Sequence, residues 1–472
     1  MKLCKTLYIN GTSVAPANGT LDVLNPATEK VLASAPVAST EQVDRAVAAA
    51  RSAFVQWRDT SDEERSQALL RIADRMETHA DELARIIVHE QGKPLMIAQR
   101  EVAGATAWVR YTAGLTLPVD VVFEDDSKRI EVHRKPLGVV GSITPWNWPL
   151  MILIWHLMPA LKAGNTVVCK PSEYTPFHAL RLFEIIGEEL PAGVINVVNG
   201  RGDIGQAMSE HDGIDKIVFT GSIATGKRIM GAAAGNLKRL TLELGGNDAA
   251  VVLPDVDLEQ AAEGIIAAAY KNMGQTCAAL KRLYVHEDIH DALCEKLVAV
   301  AQRHVVGDGM EPGVTFGPVQ NSMQYTYLCG LLDDIREQGG IFLCGGEPLP
   351  GKGYLIPPTI VTNVDPHSRI VQEEQFGPIL PVIPFNDLEE VITLVNEPQE
   401  GLGGSVWSAD IEKAQAISSR FECGSTWINF HGEVHPSAPF GGCKQSGLGV
   451  EFGQEGLMEY TSVQTRHILK QG

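Results

Sequence analysis

The chain has 472 residues, 44% of them hydrophobic and 21% charged, enough apolar content to bury a large core and to divide into two or three domains. Its formal charge of −19 would repel a phosphate backbone and argues against nucleic acid as a partner. The 8 cysteines are scattered without a C-x-x-C pair, which fits a reducing, cytoplasmic compartment and not a disulfide scaffold.

Near the start, "LYINGTSVAP" shows no charged-then-apolar leader, so the sequons at Asn10 and Asn18 are not expected to carry sugar. Residues 120–134 set charged residues against Ile130 and Val132 and read as strand outside any main sheet. The longest apolar stretch, residues 139–163, is interrupted by Pro145, Asn147, Pro149, His156 and Pro159, so a buried strand followed by a buried helix is expected there, not a membrane span. Short apolar runs then alternate with amphipathic ones: "TVVCK" with "FHALRLFEIIGEEL", "VINVV" with "DIGQAMSEH", and "KIVFT" with "ATGKRIMGAAA". This pattern predicts βαβ units and a largely parallel sheet. A second α/β series follows "LTLELGGNDAAVVL", with strand-like "RLYVH", "PTIVTNV" and "LPVIPF". The tail "YTSVQTRHILK" again reads as an outlying strand. Such exposed edges commonly pair with another subunit, so a homo-oligomer is expected.

Two conspicuous motifs point away from the chemistry. Gly200, Gly202 and Gly205 have the G-x-G-x-x-G spacing of a dinucleotide turn, but the next strand, "KIVF", ends in Thr220-Gly221-Ser222 without the acid that would take the ribose hydroxyls. His286, Glu287 and His290 spell H-E-x-x-H, which as a zinc hydrolase site needs both histidines on one face of a helix. Here His286 closes the strand "RLYVH", and the helical period of Ile289, Leu293, Leu297 and Val300 begins later, with Asp288 placed to cap it. No metal site is therefore expected.

The residues able to carry chemistry lie elsewhere. Cys277 follows a glycine break in "NMGQTCAALK"; a thiolate there can attack a carbonyl, provided an oxyanion donor and a base for water are supplied. Asn147 in "SITPWNWPL" offers an amide just past a strand end, and Glu243 in "TLELGGND" is a carboxylate inside an apolar run. Lys170 and Glu173 occupy a loop after a strand and could hold ribose hydroxyls. Gly221, Ser222 and Gly226 open a helix whose N-terminal amides suit a pyrophosphate.

"TPWNWPL", "KPSEYTP", "FTGSIATG", "LELGGND", "GQTC", "EEQFGP" and "PFGGCKQSG" occur in the order found in the aldehyde dehydrogenase superfamily, which the chain resembles over essentially its whole length. The resemblance implies an α/β fold with two Rossmann-like domains and a small β oligomerisation element. Residues 1–117 and 137–245 would form the NAD-binding domain, 246–445 the catalytic domain, and 118–136 with 446–472 the bridging element of a homodimer or homotetramer. It further implies Cys277 as nucleophile, Asn147 as oxyanion donor with the Cys277 N–H, and Glu243 as base for the hydrolytic water. Lys170, Glu173, Gly221, Ser222, Glu374, Phe376, Trp146 and Thr144 would contact the cofactor. Glu173 would favour NAD over NADP by repelling a 2′-phosphate. Glu243 would favour hydrolysis to a carboxylic acid over acyl transfer to coenzyme A. Trp155, Val434 and His435 would line the substrate pocket, giving a thinly aromatic wall suited to aliphatic or mixed aldehydes. A succinate semialdehyde-type substrate would want an arginine for its distal carboxylate, a role to which Arg110 cannot be assigned. A fold-only, non-catalytic relative is disfavoured because both nucleophile and base are present.

Overall fold

Strands Val139–Ile143, Thr166–Lys170 and Lys216–Thr220 are buried at every position, as parallel strands covered on both faces must be. They belong to an eight-stranded sheet in the order Thr12–Val14, Leu7–Ile9, Ile195–Val197, Thr166–Lys170, Val139–Ile143, Lys216–Thr220, Arg239–Glu243 and Gly447–Leu448. The five strands from Ile195–Val197 to Arg239–Glu243 run parallel. The computed structural model describes residues 2–470; residues 1, 471 and 472, at the ends of two of the ranges given above, lie outside the described residues.

A second sheet of seven strands is ordered Ile341–Cys344, Thr359–Thr362, Ile379–Phe385, Arg282–His286, Ala249–Val252, Gly403–Trp407 and Ser425–Ile428. Its first pair is antiparallel and the rest are parallel. Both α/β series read from the sequence are thus present as separate sheets, and the α/β fold class holds. A third sheet joins Asp120–Glu124, Lys128–Pro136 and Thr461–Leu469, with Val463 opposite Arg134, so the two outlying strand segments pair with each other.

Local signals account for the helices between the sheets. The helix Thr40–Trp57 begins at a capping box of Ser39 and Gln42, and Asp62–Thr78 at one of Ser61 and Glu64. The apolar stretch after residue 139 divides into the strand Val139–Ile143 and the helix Pro149–Lys162, whose first residue is a proline that needs no N–H partner. One cap expectation fails. Asp288 sits inside a short 3₁₀ turn, Glu287–Ile289, where its own N–H is accepted by His286 Nδ1, and the helix His290–Ala301 starts without a side-chain cap. Among the described residues, no helix is long and apolar enough to cross a membrane.

The functional consequence of this topology lies at the strand ends. Parallel neighbours place residues 144–147, Lys170, Gly221 and Glu243 at the same carboxyl-terminal edge, where open α/β sheets bind ligands.

Candidate active site

Asn147 and Cys277 come from different sheets, and a direct hydrogen bond joins their loops. The buried Asn147 amide donates from Nδ2 to the Gln275 carbonyl at 3.0 Å. A primary amide nitrogen has two N–H groups, so this bond orients the side chain and leaves a second donor for an oxyanion. Next to it, Trp148 Nε1 donates to Thr276 Oγ1 at 2.9 Å, locking the same two loops a second time.

Behind Asn147 lies a buried ion pair that sequence reasoning missed. Lys93 pairs with Glu101, and both side chains are fully buried. Lys93 also donates to the Asn147 carbonyl at 2.9 Å and stands 3.8 Å from the centroid of the Trp148 ring. The other Glu101 oxygen accepts the backbone N–H groups of Leu150 and Met151 at 3.0 and 3.1 Å, which puts a carboxylate on the first turn of the helix Pro149–Lys162. Asn272 Nδ2 completes the clamp on the Asn147 carbonyl at 2.8 Å.

Glu243 ends its strand in a buried position with Oε1 unpartnered. Burial, and secondly the charge of Glu451, push its carboxyl well above the ordinary range. Glu451, also buried, lies 3.3 Å from His156 Nε2, and His156 in turn contacts Ser142 Oγ and Thr220 Oγ1 at 3.0 Å each. A carboxylate held this way is a stronger base than one in water, and it accepts a proton more readily as a reaction demands.

Cys277 is partly accessible, and burial pushes its thiol up to about 12, with Lys281 pulling the other way and Glu243, Glu374 and Asp248 adding to the rise. Glu374 accepts the Gly246 N–H at 3.2 Å, while a Cβ on Gly246 would lie 3.1 Å from the Cys277 carbonyl oxygen. Far apart in sequence, Asn147 is thus docked two residues before Cys277, and the charge of Glu243 is felt at the Cys277 thiol.

The edge beside them suits a dinucleotide. Thr144 Oγ1 is buried without a partner, and the Thr144 N–H donates to the Lys170 carbonyl at 3.1 Å. Lys170 Nζ stands 3.6 Å from Glu173 Oε2 in the loop after its strand. Ser222 caps the helix Ile223–Ala233 by accepting the Thr225 N–H, leaving the first amides of that helix directed outward. Trp146 meets Phe376 edge-on at 5.3 Å, which brings the segment after Val139–Ile143 against the Glu374 loop. A Cβ on Gly205 would stand 3.7 Å from the Lys170 side chain, so the conspicuous glycine loop borders this region.

Several aromatic rings pack near Cys277. Trp155 is there, and Val434 packs with it, but so do Trp108, Trp427, Phe440 and Phe452, in one cluster that includes Cys277. Trp155 and Phe452 lie 4.7 Å apart, and Trp108 and Phe452 5.4 Å, both edge-on. These rings come from separate segments, so no single stretch of sequence announced them. An adjoining cavity of about 390 Å³ is lined by Trp427, Phe430, Glu433, Val434, His435 and Phe440, a size that accommodates a small organic ligand. His435 is exposed and bonded to Ser437, at the rim of that cavity.

The remaining titratable residues singled out by sequence have local partners. His286 accepts the Asp288 N–H, and His290 contacts Asp291 and Thr362. Arg110 is on the surface, paired with Asp74 and Glu77.

Comparison with known proteins bears on family and fold. The "Aldehyde dehydrogenase family" profile matches residues 14–466. A phenylacetaldehyde dehydrogenase of Pseudomonas fluorescens is 40% identical over 487 aligned residues, covering 98% of this chain and 96% of its own. The structure of an aldehyde dehydrogenase from Bacillus cereus in complex with NAD+ superposes with a TM-score of 0.96 at 36% identity, covering 100% of this chain and 97% of that one. An NADP-dependent enzyme of E. coli gives a TM-score of 0.96 at 34% identity, with 99% and 98% covered.

Proposed function

Because the chain belongs to the aldehyde dehydrogenase family, whose members oxidise aldehydes with a nicotinamide cofactor, we propose that it converts an apolar or aromatic aldehyde to its carboxylic acid with NAD. The observation that carries this reading is the Asn147 amide docked on the Cys277 loop with one donor left over.

In this account the Cys277 thiol gives its proton to solvent, and the resulting thiolate Sγ bonds to the aldehyde carbon as the carbonyl π electrons move to oxygen. The oxyanion so formed takes hydrogen bonds from Asn147 Nδ2 and the Cys277 N–H. A bound nicotinamide would supply the hydride acceptor, and the oxyanion contacts from Asn147 and the Cys277 N–H would hold that carbon in place for it. Glu243 takes a proton from water as the water oxygen bonds to the acyl carbon of the resulting thioester, and the carbon–sulfur bond breaks to release the acid. Thr144, Trp146, Lys170, Glu173, Gly221, Ser222, Glu374 and Phe376 would hold the cofactor. Residues 1–117 and 137–245 would be its binding domain and 246–445 the catalytic domain.

The aromatic cluster beside Cys277 favours an apolar substrate over a semialdehyde. Lys271 is a poor carboxylate receptor, since it donates to the Gly432 carbonyl at 3.0 Å and faces Glu433. A panel comparing phenylacetaldehyde, hexanal and succinate semialdehyde is expected to rank the first two above the third in kcat/KM, and the reverse order would refute the apolar reading. With the best aldehyde, NAD should exceed NADP by about tenfold or more, because Glu173 opposes a second phosphate charge. Equal use of both cofactors would remove Glu173 from that role.

Subunit association is assigned to the third sheet. Val121, Val122, Phe123, Val463 and Leu469 are exposed on its two outer strands, a surface that a single chain leaves uncovered. Light scattering is expected to give a dimer or tetramer, and a Val122→Glu/Val463→Glu variant a smaller species. A monomeric wild-type protein would end this assignment.

A further inference from the structure

We propose that Lys281 is a positioning residue for the nucleophile: its buried ammonium pins the Cys277 loop and provides the positive charge against which the Cys277 thiolate forms. Lys281 lies four residues beyond Cys277, just before the strand Arg282–His286. Its side chain is 3% exposed. An ammonium has three donors and no acceptor. These are met by the carbonyls of Thr276 at 3.1 Å, of Cys277 at close range and of Ala279 at 3.5 Å, with Glu374 Oε1 at 3.3 Å. The lysine thus turns back on its own loop and ties three of its carbonyls to the carboxylate that stands beside Gly246.

The charges facing Cys277 make the need for such a group plain. Glu243, Glu374 and Asp248 all disfavour a thiolate, as does burial. Two lysines oppose them. Lys271 is engaged by the Gly432 carbonyl and by Glu433, and the ring of His431 faces Asp248, whose Oδ2 lies 3.5 Å from His431 Nε2. Cys277 lies in a turn and not at the first residues of a helix of its own. Lys281 is the cation held on the nucleophile's own backbone, and Glu374 shares it.

The inference rests on Cys277 being the reactive thiol, and its test reads that thiol directly, so that loss of aldehyde turnover for another reason leaves the readout intact. The full-length protein, without cofactor, is treated with iodoacetamide across a pH series, and alkylation of the Cys277 peptide is followed by mass spectrometry. Exposed Cys443 serves as the internal control. In Lys281→Met the Cys277 rate is expected to fall about tenfold at each pH below the thiol pKa, the consequence of losing one nearby opposite charge. Cys443 should be unaffected, and Lys281→Arg should restore the Cys277 rate. Glu374→Gln, which frees the ammonium from a competing carboxylate, should accelerate Cys277 alkylation and does not depend on the Lys281→Met protein folding. An unchanged Cys277 rate in folded Lys281→Met, or an unchanged or slower rate in Glu374→Gln, would overturn the proposal.

Discussion

The Glu243→Gln enzyme is expected to release about one equivalent of reduced cofactor per active site and then stall, with steady-state kcat lowered about 10²–10⁴-fold. The amide keeps the shape of the side chain but cannot take a proton from water, so steps up to the thioester proceed and hydrolysis does not. Stopped-flow absorbance at the reduced-nicotinamide band distinguishes this from simple loss of activity. A variant with neither burst nor turnover would mean that Glu243 acts before acyl formation. The same substitution has a stability signature. Because the folded-state carboxyl is raised, the native protein binds this proton more tightly than the unfolded chain does, so stability is fullest below the unfolded value and declines as pH rises towards the folded one. Glu243→Gln lacks that titration, and its melting temperature should fall less steeply with rising pH over this window.

The second large effect concerns the support behind Asn147. Lys93→Met removes one partner of a fully buried pair and leaves Glu101 uncompensated, a change that costs about 3–5 kcal/mol. It also releases the Asn147 carbonyl from one of its two side-chain donors. Urea unfolding should report the lost stability, and kcat should drop about tenfold or more, since a misplacement of about 1 Å can cost up to about 10²-fold. The Lys93→Met/Glu101→Leu pair separates the two effects. Replacing both charges by apolar groups should recover much of the stability. It should not recover kcat, because Asn147 still lacks its anchor and the helix Pro149–Lys162 has lost the carboxylate at its start. Full recovery of both would show that Lys93 acts on stability alone.

The groups legible in the sequence share one physical circumstance. Asn147, Lys170, Gly221 and Glu243 stand at or just past the ends of parallel strands, where glycine and proline mark the turns and the strands themselves are short runs of Val, Ile and Leu. Alternation of such runs with amphipathic helices specified the α/β class, and the order of the motifs specified the family. The site's supports were not legible, because each is a charge or ring whose partner is remote in the chain. Lys93 reads as an ordinary surface lysine until Asn147, 54 residues on, is folded against it. Glu451 and Lys281 likewise gain meaning only from Glu243 and Glu374. The aromatic wall is the clearest case. Trp108, Trp155, Phe440 and Phe452 carry no shared period, yet they meet in one packed cluster against which Cys277 lies. The glycine loop at Gly200 and the H-E-x-x-H run were conspicuous for the opposite reason: their spacing is local, whereas their surroundings lack the acid and the helical face that would make them work.

The proposed chemistry requires Cys277, Asn147 and Glu243 to act on one carbon atom. The direct measurement is the intact and peptide mass of Glu243→Gln protein quenched in acid after mixing with phenylacetaldehyde and NAD. A phenylacetyl adduct on Cys277, absent from the Glu243→Gln/Cys277→Ala protein, is the expected result. An enzyme that forms reduced cofactor while Cys277 stays unmodified, or that carries the acyl group on another residue, would contradict it.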